Sequence, residues 1–101
     1  MTAGRAVPPV VVVTRLRVPA VERAGVGGQL DALLAALGTR PGFVAGHAGA
    51  AAEDPGLWAV VTVWAGVGAY RRALSAAEVK IAGAPVWVHA IDEPGVYLPP
   101  S

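Results

Sequence analysis

Cysteine is absent from this chain. That excludes a disulfide framework, a thiol nucleophile and a thiolate metal site, and it removes the redox signal that would point to a compartment. Charge is scarce as well. Only 15% of residues are charged and the formal net charge is +1, with the basic side chains scattered, so the footprint of a nucleic-acid partner is missing. Histidine occurs only at positions 47 and 89, and a zinc site usually takes three or four ligands, so no metal is expected. Nor is there an apolar, charge-free run of the ~18 residues that a membrane helix needs. Arg15, Arg17, Arg23, Asp31, Arg40, Glu53, Arg71 and Lys80 interrupt the sequence too often. No repeat or linker divides it, which predicts one domain over 1–101, with a core at about 10–92 and an irregular tail over 93–101.

What the chain has in excess is apolar surface. Hydrophobic residues make up 54% of it and there are 13 glycines besides, against roughly 45–50% apolar residues, glycine included, in an ordinary soluble domain. A domain this small buries only about 60–65% of its unfolded surface. The excess therefore calls for a second copy of the chain as cover, at least a homodimer. The stretch "MTAGRAVPPVVVVTRLRVP" holds a short apolar run between prolines with Arg15 and Arg17 close behind. It reads as a strand and not as a secretion signal, so a cytoplasmic location is expected.

Val10–Val18 is β-branched and bounded by prolines, as a central strand would be. Leu30, Leu33, Leu34 and Leu37 mark one helix face, closed by Gly38, Pro41 and Gly42. Gly25, Gly27 and Gly28 weaken any helix over 21–28. Phe43–Ala51 reads as a second strand, Glu53–Gly56 as a turn and Leu57–Trp64 as a third strand, giving a hairpin. Val67–Ala77 carries Tyr70, Ala73, Leu74 and Ala77 on one helix face, with Arg71 and Arg72 on the solvent side, and Glu78–Ala84 adds a further turn before Pro85. Val86–Asp92 is the expected last strand, and "EPGVYLPPS" is expected to stay irregular. The order β-α-β-β-α-β predicts an α+β, ferredoxin-like fold, two helices covering one face of a four-stranded antiparallel sheet. The third strand is apolar on both sides, so the uncovered face is expected to meet its copy across a two-fold axis. Arg15 and Arg17 are expected to pair with Glu93 or Asp92 across that dimer.

The run "LWAVVTVWAGVGAY" holds the aromatic residues of most interest. Strand parity puts Trp58 and Trp64 on one face with Val60 and Thr62, about 20 Å apart at ~3.3 Å per residue. Trp64 ends the strand close to Tyr70 on the next helix, which otherwise presents alanines. Either leucines of the first helix fill the space and the aromatics are core, or the space is a pocket with an aromatic wall. His47 and His89 are the side chains that exchange protons near neutral pH without large perturbation, and each is a candidate general base as well as an ordinary strand residue. Tyr97 folds either over a pocket mouth or onto a partner.

The stretch "VVTVWAGVGAYRRAL", with "RPGF" before the second strand and "SAAEVK" later, resembles the antibiotic biosynthesis monooxygenase family of dimeric ferredoxin-like proteins. The likeness runs from Val10 to about Asp92 in element order and spacing. It implies a homodimer with two facing sheets and a small cavity in each subunit between helices and sheet. Some members oxidise aromatic polyketide intermediates with no metal or flavin. For these the resemblance carries a pocket tryptophan onto Trp64, a tyrosine onto Tyr70 and a basic residue onto Lys80, while a pocket asparagine corresponds to Val60. A haem-degrading branch uses a strand-end tryptophan, a first-strand asparagine and a helix histidine. Thr14 and Gly83 stand at the last two positions here, so haem is not expected.

The implied activity is a cofactor-independent monooxygenation of a phenolic or anthrone-like substrate by dioxygen, giving a quinone. Trp64 would stack on the aromatic plane, Tyr70 would hydrogen-bond a phenolic oxygen, and Lys80 would face the developing anion. The alternative is a binding or assembly protein of the same dimeric fold without turnover.

Overall fold

Branched Cβ atoms suit an extended backbone, and the valine run forms β1 (Val10–Arg17) in the computed structural model, which describes residues 8–100. Those parts of the single-domain and amino-terminal expectations that concern residues 1–7 and 101 lie outside the described residues. β2 (Phe43–Ala51) and β3 (Asp54–Trp64) form the expected hairpin, and β4 is the short segment Val96–Tyr97. The sheet is antiparallel in the order β2-β3-β1-β4, with β1 central. Between strands run α1 (Arg23–Gly38), α2 (Val67–Leu74) and α3 (Ala77–Trp87). This is the α+β, ferredoxin-like plan, with three helices in place of two.

α1 passes straight through Gly25, Gly27 and Gly28, which corrects the weak start expected for it. Each glycine costs about 1 kcal/mol relative to alanine. Val26, Leu30, Leu33 and Leu37 are each at most 2% exposed, and burying such side chains contributes roughly 1.5–3 kcal/mol apiece. Arg23 ties down the first turn by donating from Nε to the Val18 carbonyl at 3.2 Å. Tertiary burial outweighs local preference.

The helix expected over Val67–Ala77 stops at Leu74, because the Ser75 hydroxyl turns back onto the Arg72 carbonyl at 2.8 Å. α3 then starts at Ala77 and runs through Pro85 to Trp87, so the strand expected over Val86–Asp92 is corrected. Pro85 removes the bond to the Ile81 carbonyl, but both residues are exposed and water reaches that side of the helix. Val86 meanwhile is fully buried and holds the last turn on the core.

The last strand exists in two pieces. Arg17 N–H donates to the His89 carbonyl at 2.9 Å, Ile91 N–H to Arg15 at 2.9 Å, and Val13 N–H to Gly95 at 2.7 Å, with Leu16 bridged to Ala90. Asp92–Pro94 loops out between these pieces, and β4 then pairs with Val11 and Val12. The tail expected to be irregular is thus partly strand, since the outer edge of β1 needs partners for its backbone groups. Glu93 in the outward loop accepts from Arg15 at 2.7 Å, and Asp54 accepts from Arg17 at 2.8 Å. Both ion pairs lie within one chain, which corrects the expected pairing of these arginines across a dimer. The turn expected over Glu53–Gly56 contracts to Ala52–Glu53. Asp54 pairs with Ala51, and its Oδ1 accepts the Gly56 N–H at 3.0 Å.

Alternation sorts the sheet into two faces. Val10, Val12, Leu16, Val60, Thr62 and Trp64 are buried beneath the helices. Val11, Val13, Leu57, Ala59, Val61 and Val63 point the other way and remain partly exposed.

Candidate active site

At the end of β3, Trp64 is 0% exposed. A buried indole N–H needs an acceptor, and here it donates to Thr62 Oγ1 at 2.9 Å. Thr62, two residues back on the same face, is the one buried polar residue among the described residues. Phe43 sits opposite Trp64 in the β2–β3 register and meets its ring edge-on, with centroids 5.3 Å apart at 85°. From α2, Tyr70 completes the group at 5.8 Å from Trp64 with the rings tilted by 57°. Burial pushes the Tyr70 phenol above its ordinary value. It is therefore protonated at neutral pH and able to donate a hydrogen bond.

Two glycines shape the surroundings. Gly42, at φ +88°, takes a left-handed turn that a side chain would resist, and its α-carbon packs against Ala69 so closely that a Cβ would collide with that methyl. The turn is fastened to the end of β3 by Ala65 N–H donating to the Gly42 carbonyl at 2.8 Å. Gly46 lies opposite Thr62 in the sheet. A Cβ there would come within 2.9 Å of Leu34 Cδ2 and 3.0 Å of Phe43 Cζ. The room that Gly46 leaves is taken by the rotatable ends of those two side chains.

Among the described residues no cavity remains between helices and sheet. That corrects the chamber implied by the resemblance. Leu34, Phe43 and Tyr70, with buried Trp64, fill the volume left by the alanines of α2.

The structure brings Trp64 and Tyr70 together and holds His47 and His89 apart from them. Lys80 is exposed on the first turn of α3. His47 pairs with Val61 and so faces away from Trp64, exposed on the unroofed side of the sheet. His89 is next to Ala90, which bridges to Leu16, and Leu16 pairs with Trp58 at the far end of β3, roughly 20 Å from Trp64 by strand rise. Its imidazole is 9% exposed and its Nε2 lies 3.4 Å from Glu22 Oε1. Trp58, half-buried, donates to the Pro55 carbonyl at 3.0 Å and takes no part in the cluster. Tyr97 is exposed on β4. Sequence reasoning did not single out Phe43 or Thr62 as site residues. For Thr62 the signal was available: a polar residue of the same strand parity as Trp64 in an otherwise apolar run.

Haem does not fit these residues. Gly83 offers no ligand, and the indole of Trp87 lies against it where a side chain would stand. Among the described residues no group of three His, Cys, Asp or Glu side chains is placed to hold a metal ion. No described helix is long and apolar enough to cross a membrane.

No family model matches the sequence, and no curated protein matches it. Solved structures do. The fold is similar to that of a variant of SnoaB, a cofactor-independent oxygenase from Streptomyces nogalater, with a TM-score of 0.80 at 20% identity over 92% of this chain and 94% of the other. A candidate antibiotic biosynthesis monooxygenase from Chloroflexus aurantiacus J-10-fl gives a TM-score of 0.74 at 18% identity, covering 93% and 95%. A further antibiotic biosynthesis monooxygenase gives 0.75 at 14% identity, covering 91% and 97%. At these identities the likeness is one of fold over nearly the full length of both chains.

Proposed function

We propose that this chain is a small cofactor-independent monooxygenase of the antibiotic biosynthesis type, a cytoplasmic homodimer that oxidises a phenolic or anthrone-like molecule to a quinone. The observation that carries this reading is the contact between Trp64 and Tyr70, a strand end and a helix brought to 5.8 Å, in a fold whose solved relatives include a cofactor-independent oxygenase.

The chemistry asks little of the protein. The substrate anion gives an electron to dioxygen, the two radicals combine into a C–O bond, and loss of water leaves a carbonyl. One oxygen atom ends in the quinone and the other in water, with no outside reductant. Trp64 supplies the aromatic plane, and neutral Tyr70 donates to the substrate oxygen, favouring its anionic form. Lys80 adds positive charge at the rim. With His47 and His89 remote from Tyr70, proton removal falls to solvent at the mouth of the site.

Entry requires α2 to yield. Ala69 and Ala73 are its fully buried residues, where a buried CH₂ contributes only roughly 0.8 kcal/mol, and Val67, Tyr70 and Leu74 pack against the core only in part. Its start is flanked by Gly66 and Gly68, and neither end carries a side-chain cap that holds it to another element. It has two buried residues to release, against Val26, Leu30, Leu33 and Leu37 in α1.

The filled interior favours a second reading, a dimeric binding or assembly protein without turnover. Oxygen consumption with dithranol in metal-free buffer separates the two. A monooxygenase consumes oxygen in the wild type and loses most of that rate in both Trp64→Phe and Tyr70→Phe. No consumption by the wild type, or equal rates in all three proteins, would leave the second reading.

A further inference from the structure

A buried polar side chain in an otherwise apolar layer costs free energy unless its groups are used. Thr62, 3% exposed, is the one such residue among the described residues. Its oxygen accepts the Trp64 indole N–H at 2.9 Å. A hydroxyl has one hydrogen to donate, and among the described residues no hydrogen bond uses the hydrogen of Thr62. Trp64, conversely, has spent its single donor and can offer a ligand only its ring face. The neighbours along the same sheet row are Val12 and Gly46. Over Gly46 lie Leu34 Cδ2 and the Phe43 ring tip, 2.9 Å and 3.0 Å from where a Cβ would stand. The space over Gly46, beside Thr62 in the sheet, is thus held by side-chain ends that can rotate, not by backbone.

We infer that Thr62 is a ligand-orienting residue. Its oxygen fixes the plane of Trp64, and its hydroxyl hydrogen donates to an oxygen of a planar phenol or aromatic ketone stacked on that plane. This rests on the reading of the site as one for an oxygenated aromatic molecule. Tyr70, the other hydroxyl at the ring, then takes a second oxygen of the same ligand. The selectivity that follows is for polycyclic aromatics carrying two or more oxygens over their hydrocarbon or mono-oxygenated counterparts.

The test uses 1,8-dihydroxyanthraquinone, the unreactive product of dithranol oxidation, as binding probe by calorimetry. Thr62→Val should weaken binding about 10- to 100-fold, the range for losing a hydrogen bond to a strongly polar oxygen, and Thr62→Ser should restore it. Thr62→Ala replaces Thr62→Val if the latter does not fold. In parallel, the Trp64 indole N–H resonance, assigned by its loss in Trp64→Phe, should exchange slowly in the wild type and in Thr62→Ser and faster in Thr62→Val. Unchanged affinity in Thr62→Val, no binding by the wild type, or a fast-exchanging wild-type indole each overturns the inference. Wild-type binding that depends on Thr62 without oxygen consumption from dithranol would sink the oxygenase reading and leave this one standing. Turnover indifferent to Thr62→Val would do the reverse.

Discussion

Glycine plays opposite parts at different positions. Gly42 combines a left-handed φ of +88° with a close approach to Ala69. Gly42→Ala should therefore destabilise by about 2–4 kcal/mol, adding backbone strain to a steric clash, as read by urea unfolding. Gly28, exposed in the interior of α1, has nothing within 4 Å of the place where a Cβ would stand. Gly28→Ala should stabilise by about 0.5–1 kcal/mol in the same assay, through helix preference and a less free unfolded chain. The sequence shows both as glycines in apolar surroundings; only "RPGF" at a helix end marks the first as a turn. Trp64 and Tyr70 were legible because strand parity and a short loop suffice to bring them together. The bond from Trp64 to Thr62 was not, because it depends on the side-chain rotamer and not on residue order. The remoteness of His47 and His89 from Tyr70 was hidden for another reason: it follows from pairing with Val61 and from the end of α3, which one-dimensional spacing does not encode.

Among the elements, those with strong periodicity were readable and those held by an edge or a cap were not. β1 and β3 follow from valine-rich runs, and β2 from its place before a turn signal that the structure narrows to Ala52–Glu53. The last strand was misplaced because Pro85 reads as a helix stop, whereas the exposed side of α3 tolerates it and Val86 is held by burial. β4 has only two residues and owes its place to the free edge of β1 and to Glu93 gripping Arg15. That grip depends on pH in a definite direction. Arg15 holds the Glu93 carboxyl below its usual range, and Arg17 does the same for Asp54. A carboxyl whose folded value is depressed contributes stability that is present above its unfolded value and lost as pH falls through the folded one. The melting temperature should thus drop as pH is lowered below about 4, and the drop should be shallower in Glu93→Gln and in Asp54→Asn. Both pairs are solvent-exposed, so high salt should shrink the difference. α2 offers a second check at this scale. With Ala69 and Ala73 as its buried anchors against Val26, Leu30, Leu33 and Leu37 in α1, its amides should exchange faster than those of α1 under native conditions. Equal protection of the two helices would remove the route by which a substrate is proposed to reach Trp64.

For the molecule as a whole, the unroofed sheet face decides whether it works alone. Val11, Val13, Val61, Val63, Leu57 and Ala59 form one apolar surface on β1 and β3, partly exposed in the single chain. With 54% hydrophobic residues, the chain roofs one side of its sheet with helices, and among the described residues no helix covers the other. A surface of this kind facing water marks an association site. On the proposed reading a second copy covers it, because each chain carries the same surface and a two-fold axis would close the assembly without leaving a further face to polymerise. Arg15 with Glu93 and Arg17 with Asp54 lie towards one end of β1, each charge matched within its own chain. Matched charges at the border of an apolar patch form a polar rim that does not repel its copy. The expected solution state is a dimer by light scattering at micromolar concentration. Val61 occupies the middle of the patch, opposite Val13 on one side and His47 on the other. A lysine there would bury an unpaired charge from each subunit, so Val61→Lys should give a folded monomer, because the helix-covered side of the sheet keeps its own core. A wild-type monomer would show that water, not a second chain, covers this face.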